Sequence, residues 1–367
     1  MITPQTEQEL ADYVASANAP IWVQGGGTRG LEGEGAALST ASMSGIELYE
    51  PGALTIVVKA GTPVADVEAA LAAENQRLPF EPIDYRGLTG VMGTPTIGGV
   101  IATNNSGARR IQVGAARDFA LGVRYVDGMG QIVKNGGRVM KNVTGYDLVK
   151  LMSGSWGTLG VLTEVALKVL PAPETEATVM IHGLSNAMAV EAMASALGSP
   201  YDVSGAAHSE DPAAPVTLIR IEGFEASVTY RVAQLTKQLA QFGADITCAT
   251  ADSSAIWQDV NAQVCFQQKD GDIWRVSVAP SDGAQVIAAA GAEQATMDWA
   301  GGLVWLRMAP GTDLRTRLRG FKGHVTLVRG SGFPRFHPEE AGVAMLTKGL
   351  RQRFDPKGIL NPGLMAA

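Results

Sequence analysis

Three glycine-bearing segments in the first half of the chain carry residue types that can hold an anion or let a flat ring approach the backbone. In the first, strand-like Trp22-Val23-Gln24 runs straight into Gly25-Gly26-Gly27-Thr28-Arg29. Successive amides without side chains can converge on a pyrophosphate as an anion-binding nest, and the Thr28 hydroxyl adds a donor. A tight turn between strands would use the same residues, so this loop by itself leaves both readings open. A Rossmann loop requires an amphipathic helix directly afterwards, and Leu31–Met43 supplies none; GxxxxGK[ST] is absent as well. Any phosphate contact is therefore expected from the loop's own amides, without a helix dipole behind them.

The second segment, Thr94–Arg110, suits a ring. Thr94 and Thr96 are cofactor-binding candidates, and Ile97-Gly98-Gly99-Val100-Ile101-Ala102 after them is an apolar but glycine-bearing run that lets backbone approach closely. Thr103, Asn104, Asn105, Ser106 and Gly107 follow with hydroxyls and amides for a polar ring edge. Arg109 is expected at a phosphate or a flavin carbonyl, and Arg110 either there or in solvent. The third segment, Gly157–Val161, would close the cofactor from the other side, with the Val161 backbone available to it. Three such loops point to a large phosphate-bearing cofactor, a flavin.

Flavin chemistry on a small acid needs a cation for the carboxylate, and arginine's planar fork matches two oxygens. Of Arg220, Arg275, Arg307 and Arg329 in the second half, Arg275 is the candidate, because the apolar strand around it, Ile273–Val276, would hold it rigidly. An arginine on the solvent face of a sheet is the competing account. His324 and His337 are candidate bases, but a half-exposed structural histidine is the better account of each, and neither is nominated.

The elements that position these residues are legible. Thr6 and Glu9 have capping-box spacing before a first helix, and Thr62-Pro63 opens a second through Asn75. Gly122–Val126 and Gln131–Lys134 flank Asp127-Gly128 as a hairpin, Asp147 caps a short helix, and Thr158–Leu170 alternates as a strand. Pro171 and Pro173 then punctuate the chain. Beyond them a β-α-β-β-α-β rhythm occurs about twice, predicting two ferredoxin-like units in one antiparallel sheet. Trp299, Trp305, Met188, Met193 and Met308 read as core. The tail ends in Asp355-Pro356-Lys357-Gly358 and Asn361-Pro362-Gly363, turns that suit a docked loop. The expected organisation is α+β, with domains at 1–173, 174–330 and 331–367.

Bulk properties exclude several classes. A chain of 367 residues exceeds the usual size of one core. Its net charge of −7 argues against nucleic acid or an acidic membrane surface as partner, and no uninterrupted apolar run approaches the length needed to span a bilayer, so direct membrane insertion is not expected. The start, Met1–Tyr13, has neither the basic region nor the apolar core of a secretory signal, so the expected location is the cytoplasm, at most peripheral to a membrane through partner subunits. Cys248 and Cys265 are the only cysteines and there are four histidines. A four-cysteine cluster or zinc site cannot be built from these, and no metal is expected.

Together the loops resemble the FAD domain of the vanillyl-alcohol oxidase/p-cresol methylhydroxylase superfamily. The block from Gly107 to Val133 and from Gly136 to Pro171 resembles more narrowly the FAD-binding E subunit of bacterial glycolate oxidase. That resemblance implies a two-subdomain FAD-binding domain of the p-cresol methylhydroxylase type with an antiparallel-sheet cap. It also implies a complex containing a second FAD-binding subunit and an iron–sulfur subunit, acting on glycolate. Covalent attachment in the superfamily often uses a His in the pyrophosphate loop; Gln24–Arg29 has none, so noncovalent FAD is expected. Related 2-hydroxy-acid dehydrogenases carry a histidine-rich metal site in the cap, which this chain lacks. Three readings follow: a flavin subunit passing electrons within such a complex, a self-sufficient FAD-dependent 2-hydroxy-acid dehydrogenase, or a structural subunit with a vestigial flavin site.

Overall fold

In the computed structural model the described residues are 1–138, 145–211 and 214–365. Residues 139–144 of the long glycine-rich block lie outside them. The chain opens with α1 (Glu7–Ser16), whose N-cap hydroxyl, Thr6, accepts from the Glu9 amide at 3.2 Å. The Glu9 carboxylate accepts from the Gln5 amide instead of completing a reciprocal box. Two short parallel strands follow, β1 (Ile21–Gln24) and β2 (Ala36–Ser39).

A five-stranded antiparallel sheet comes next. Its strands are β3 (Ile46–Glu50), β4 (Thr55–Lys59), β5 (Ala120–Val126), β6 (Ile132–Gly136) and β7 (Val161–Lys168), in the order β3-β4-β7-β5-β6. The expected hairpin is β5–β6. Helix α2 (Val64–Ala72) starts one residue later than the sequence suggests: Pro63 is the N-cap. The Thr62 hydroxyl donates to the Lys59 carbonyl and accepts from the Gly45 amide, so it is not free to cap. Two short helices, α3 (Ile97–Ala102) and α4 (Leu148–Met152), lie beside the sheet, α4 capped by Asp147 as expected. Ile56, Val58, Leu71, Phe80, Ile101 and Val165 are fully buried here, each worth about 1.5–3 kcal/mol of transfer free energy.

The rest forms an eight-stranded antiparallel sheet. The first unit is β8 (Thr175–His182), α5 (Asn186–Leu197), β9 (Val203–Ser209), β10 (Val216–Gly223), α6 (Glu225–Leu239) and β11 (Ile246–Ala249). The second is β12 (Asp272–Val278), α7 (Gly283–Ala290), β13 (Gln294–Asp298), β14 (Leu303–Met308), α8 (Leu314–Arg317) and β15 (Gly323–Arg329). The strand order β11-β8-β10-β9-β13-β14-β12-β15 is two split β-α-β units, joined edge to edge where His208 and Ser209 pair with Met297 and Thr296. One face packs under the helices through Val179, Ile219, Trp274 and Leu306. The other meets Ile83, Tyr85 and Leu88 through Ile273, Leu303 and Trp305. Met193 and Met308 are buried as expected, but Met188 is exposed on the first turn of α5.

The tail returns to the start of the chain. After α9 (Ala341–Phe354), the Ile359 carbonyl accepts from the Ile21 amide and the Ile21 carbonyl from the Asn361 amide.

Candidate functional site

Strand β1 delivers the backbone into the first glycine loop, and the surroundings explain why that loop carries no side chains. A Cβ on Gly25 would sit 2.3 Å from Thr96 Oγ1, and one on Gly26 would sit 1.6 Å from the Thr94 carbonyl oxygen. Gly27 adopts φ +72°, a region L-residues avoid. The Gln24 and Gly25 carbonyls accept from the Thr40 amide and the Ser39 hydroxyl. The amides of Gly25, Gly26, Gly27 and Thr28 have no hydrogen-bond partner among the described residues. Four consecutive free donors in a half-buried loop need an acceptor from elsewhere.

Helix α3 does not compete for that role. Its cap, the Thr96 hydroxyl, accepts from Gly99, while the Ile97 and Gly98 amides donate to the Thr62 and Ala60 carbonyls. Its first-turn donors are consumed, leaving the loop as the source of free amides. A Cβ on Gly98 would be 2.6 Å from that of Ala60, so this glycine lets the helix lie directly on the preceding segment.

These segments line a cavity of about 940 Å³, its open mouth included. Gly25, Gly26, Gly27, Thr28 and Arg29 line it from the first loop, Thr96, Gly98, Gly99 and Thr103 from the second, and Val161 from the third. Trp22, Ile83, Trp156 and Leu162 supply apolar walls. Asn361 holds the far end together. Its side-chain oxygen accepts from the Val23 amide at 2.6 Å, and its nitrogen donates to the Trp156 carbonyl at 2.8 Å. Both Asn361 (φ +45°) and Trp156 (φ +56°) are left-handed, a conformation that costs a non-glycine residue about 1–3 kcal/mol.

A second cavity, about 1280 Å³ with its mouth, adjoins the first and shares Arg29, Thr103 and Trp156 with it. Ser106 lines it, as do Arg110, Arg117, Arg275, His324 and Arg335. Neither cavity has a carboxylate among its described lining residues, although the whole chain carries a net charge of −7. Arg29 stands at the junction. Its guanidinium donates to Thr103 Oγ1 at 2.7 Å and lies 3.7 Å from the centre of the Tyr85 ring. Burial pulls its pKa below the ordinary value, against the attraction of Tyr85.

Strand alternation decides where Arg275 points. On β12, Trp274 and Val276 face the helix-covered core while Ile273 faces the segment around Tyr85. Arg275 shares the face of Ile273, pairs across the strands with Trp305 and Thr326, and packs 5.2 Å from the Trp299 ring centre. It is half-buried and its Nε is enclosed without a partner, so the solvent-face account does not describe it. Trp299 and Trp305 are core, as read from the sequence, and also form the wall behind this arginine.

Three residues expected at the cofactor line neither cavity. Arg109 donates to the Pro79 carbonyl and pairs with Glu222, so it ties the first half of the chain to β10. Burial alone would raise the Glu222 carboxyl, but Arg220, Arg109 and Arg77 pull it down to about 2. Gly107 presents its carbonyl to Trp299 Nε1 at 3.0 Å, away from both cavities. Thr94 lies behind Gly26 and lines neither. Of the histidines, exposed His324 reaches the second cavity and His337 lies beside it, the ring centres 6.5 Å apart. Sequence reasoning missed Tyr85, Trp156 and Asn361. An aromatic between two glycines in Gly154–Gly157 was an available signal for Trp156; nothing local marked Tyr85.

The sequence comparisons agree with this geometry. Residues 1–136 match the FAD binding domain family. The chain is 34% identical to glycolate oxidase subunit GlcE of Escherichia coli, over 98% of this chain and 96% of that protein. It is 33% identical to a D-lactate dehydrogenase of Archaeoglobus fulgidus over 47% of this chain, but only 38% of the enzyme. Among solved structures, alkyldihydroxyacetonephosphate synthase shares the fold with a TM-score of 0.73 at 16% identity, covering 98% of this chain and 76% of that one. With loops, cavity and full-length likeness in agreement, the chain belongs to the glycolate oxidase E-subunit family of FAD-dependent hydroxy-acid oxidoreductases.

Proposed function

We propose that this chain is the FAD-carrying subunit of a glycolate-oxidising complex, holding the flavin noncovalently in the first cavity. The observation that carries the reading is the run of amides from Gly25 to Thr28, unpartnered among the described residues, at the end of a cavity with no carboxylate among its described lining. These donors suit a pyrophosphate, and neutral glycine surroundings leave room for it. No His or Cys lines this cavity among the described residues, which supports noncovalent binding. Bound FAD would supply the two-electron acceptor for oxidation of an alcohol to a carbonyl. This chain's part is to orient: Arg275 receives the acid's carboxylate, and Trp299 and Trp305 exclude water behind it. The partners expected are a second FAD-binding subunit and an iron–sulfur subunit that takes the electrons onward, the product being glyoxylate.

One observation favours the self-sufficient alternative as the second reading: an anion-suited cavity adjoins the flavin cavity within this single chain. The discriminating experiment is the visible spectrum of the chain purified alone, recorded anaerobically before and after glycolate. Flavin bands that stay unchanged, and bleach once partner subunits are added, support the subunit reading. Bands that bleach in the isolated chain establish a dehydrogenase in its own right. Absence of flavin even after added FAD overturns both.

A further inference from the structure

Helix α9 is fastened to the rest of the chain along one narrow stripe. Thr347 donates to Glu339 at 3.0 Å, Arg351 donates to the Leu364 carbonyl at 3.0 Å, and the Phe354 ring lies 6.4 Å from that of Tyr125. No residue of the helix is buried. Val343, Met345, Leu346 and Leu350 are instead between 39% and 70% exposed, and spacings of three and four residues put Val343, Leu346 and Leu350 on one face. Single exposed aliphatic residues are ordinary, but a contiguous row of them marks a surface that meets another. Two glycines on the open side have no use within the chain. Gly342 and Gly349 stand in a helix, where glycine is a poor choice, yet neither has a positive φ and a Cβ on either meets nothing within 4 Å. The charges at the two ends are opposite. Exposed Glu340 is the N-cap and exposed Arg353 lies in the last turn, and neither side chain has a hydrogen-bond or ion-pair partner among the described residues.

This face is complementary to itself when reversed. A second α9 laid antiparallel about Leu346 brings its own Leu346 against the first. Its Gly349 then faces Val343, its Leu350 faces Gly342, and its Arg353 comes beside Glu340. Each branched side chain meets a gap, each charge meets its opposite, and every contact occurs twice, as a two-fold interface requires. Opposed helix dipoles favour the same arrangement. A different partner would place no such demand on the order of residues within this helix. We propose that the open face of α9 is the contact between two copies of this chain, paired antiparallel about Leu346. A 14-residue helix is about 21 Å long, and one such pair covers less than the roughly 1,200–2,000 Å² of a standard interface. The dimer is therefore a weak one, with dissociation in the micromolar range.

Sedimentation velocity of the full chain with FAD, across micromolar concentrations, tests this. Thermal midpoint and flavin content are recorded on the same samples, since none of these residues lines either cavity. The wild-type chain should pass from monomer to dimer as concentration rises. Leu346→Asp should weaken association by about tenfold or more with fold and flavin intact. Gly349→Leu adds apolar surface and would strengthen a nonspecific contact; filling the gap that Val343 needs should weaken the dimer instead, while raising the midpoint of the monomer. Glu340→Lys and Arg353→Glu should each weaken association, and the double variant, with charges exchanged in both copies, should recover it. A dimer that survives Leu346→Asp overturns the proposal, as does a double variant that fails to recover association. A wild-type chain that stays monomeric throughout also overturns it and leaves the face to a different subunit.

Discussion

Replacing Gly26 with alanine places a methyl group 1.6 Å from the Thr94 carbonyl oxygen, where real Cβ atoms keep at least 3.0 Å. The obstacle is backbone, so the loop must move by about 1.4 Å or more, enough to take an amide donor out of hydrogen-bonding range. A hydrogen bond to a charged group is worth about 1.5–3 kcal/mol. One lost amide–phosphate bond therefore weakens FAD binding by roughly 10- to 150-fold. The strain itself costs about 1–3 kcal/mol, visible as a lower thermal midpoint of the flavin-free protein. The assay is titration of flavin-free chain with FAD, followed by quenching of flavin fluorescence. Gly52→Ala serves as the control, because its added Cβ meets nothing within 4 Å. FAD affinity within twofold of wild type in a folded Gly26→Ala protein would refute the placement of the phosphate on this loop.

Glu222→Gln removes the carboxylate that pairs with Arg77 and Arg109 and lies near Arg220; it should cost on the order of 3 kcal/mol at pH 7, read as a fall of several degrees in thermal midpoint. Because the folded pKa of Glu222 is about 2, this contribution is present above the unfolded value near 4.3 and disappears as pH falls through about 2, so wild type and variant converge in acid. Asp298 shows the opposite sign: burial raises its carboxyl to about 7, against the Trp299 amide it accepts from. The neutral acid stabilises the fold at low pH and that stability is lost as pH rises through about 7, so Asp298→Asn should gain on wild type by up to roughly 4 kcal/mol at pH 9 and not at pH 4; parallel stability–pH curves would contradict this. Asn361→Gly keeps the positive φ but removes the bonds to Val23 and Trp156. It should lower stability by about 1–3 kcal/mol and loosen FAD, whereas an unchanged midpoint would show that the tail does not brace the cavity.

What could be read from the sequence follows from the range of each interaction. Gly25–Gly27 and Gly98-Gly99 announced themselves because close backbone approach forbids side chains, a constraint written locally. The repeated β-α-β-β-α-β rhythm was visible for the same reason. β9 was not, because Gly205, Ala206 and Ala207 lack the branched residues that mark a strand. The structure supplies the cause: a Cβ on Gly205 would lie 2.7 Å from the Trp257 ring, which crosses this part of the sheet. Arg109 was placed at the cofactor because its partner, Glu222, is 113 residues away, and no local pattern joins them. Asn361 was recognised only as part of a docked turn; that its amide braces β1 and the Trp156 loop is a long-range fact. Tyr85 became a cavity wall only when the cap sheet folded back over Ile83–Leu88.

The account stands most directly on one measurement: the flavin content of the chain purified after incubation with FAD, with the supernatant analysed after acid precipitation. One FAD per chain, released intact into the supernatant while the protein pellets colourless, is the predicted result. Flavin retained in the pellet would contradict noncovalent binding, and a chain that takes up no FAD would contradict the site itself.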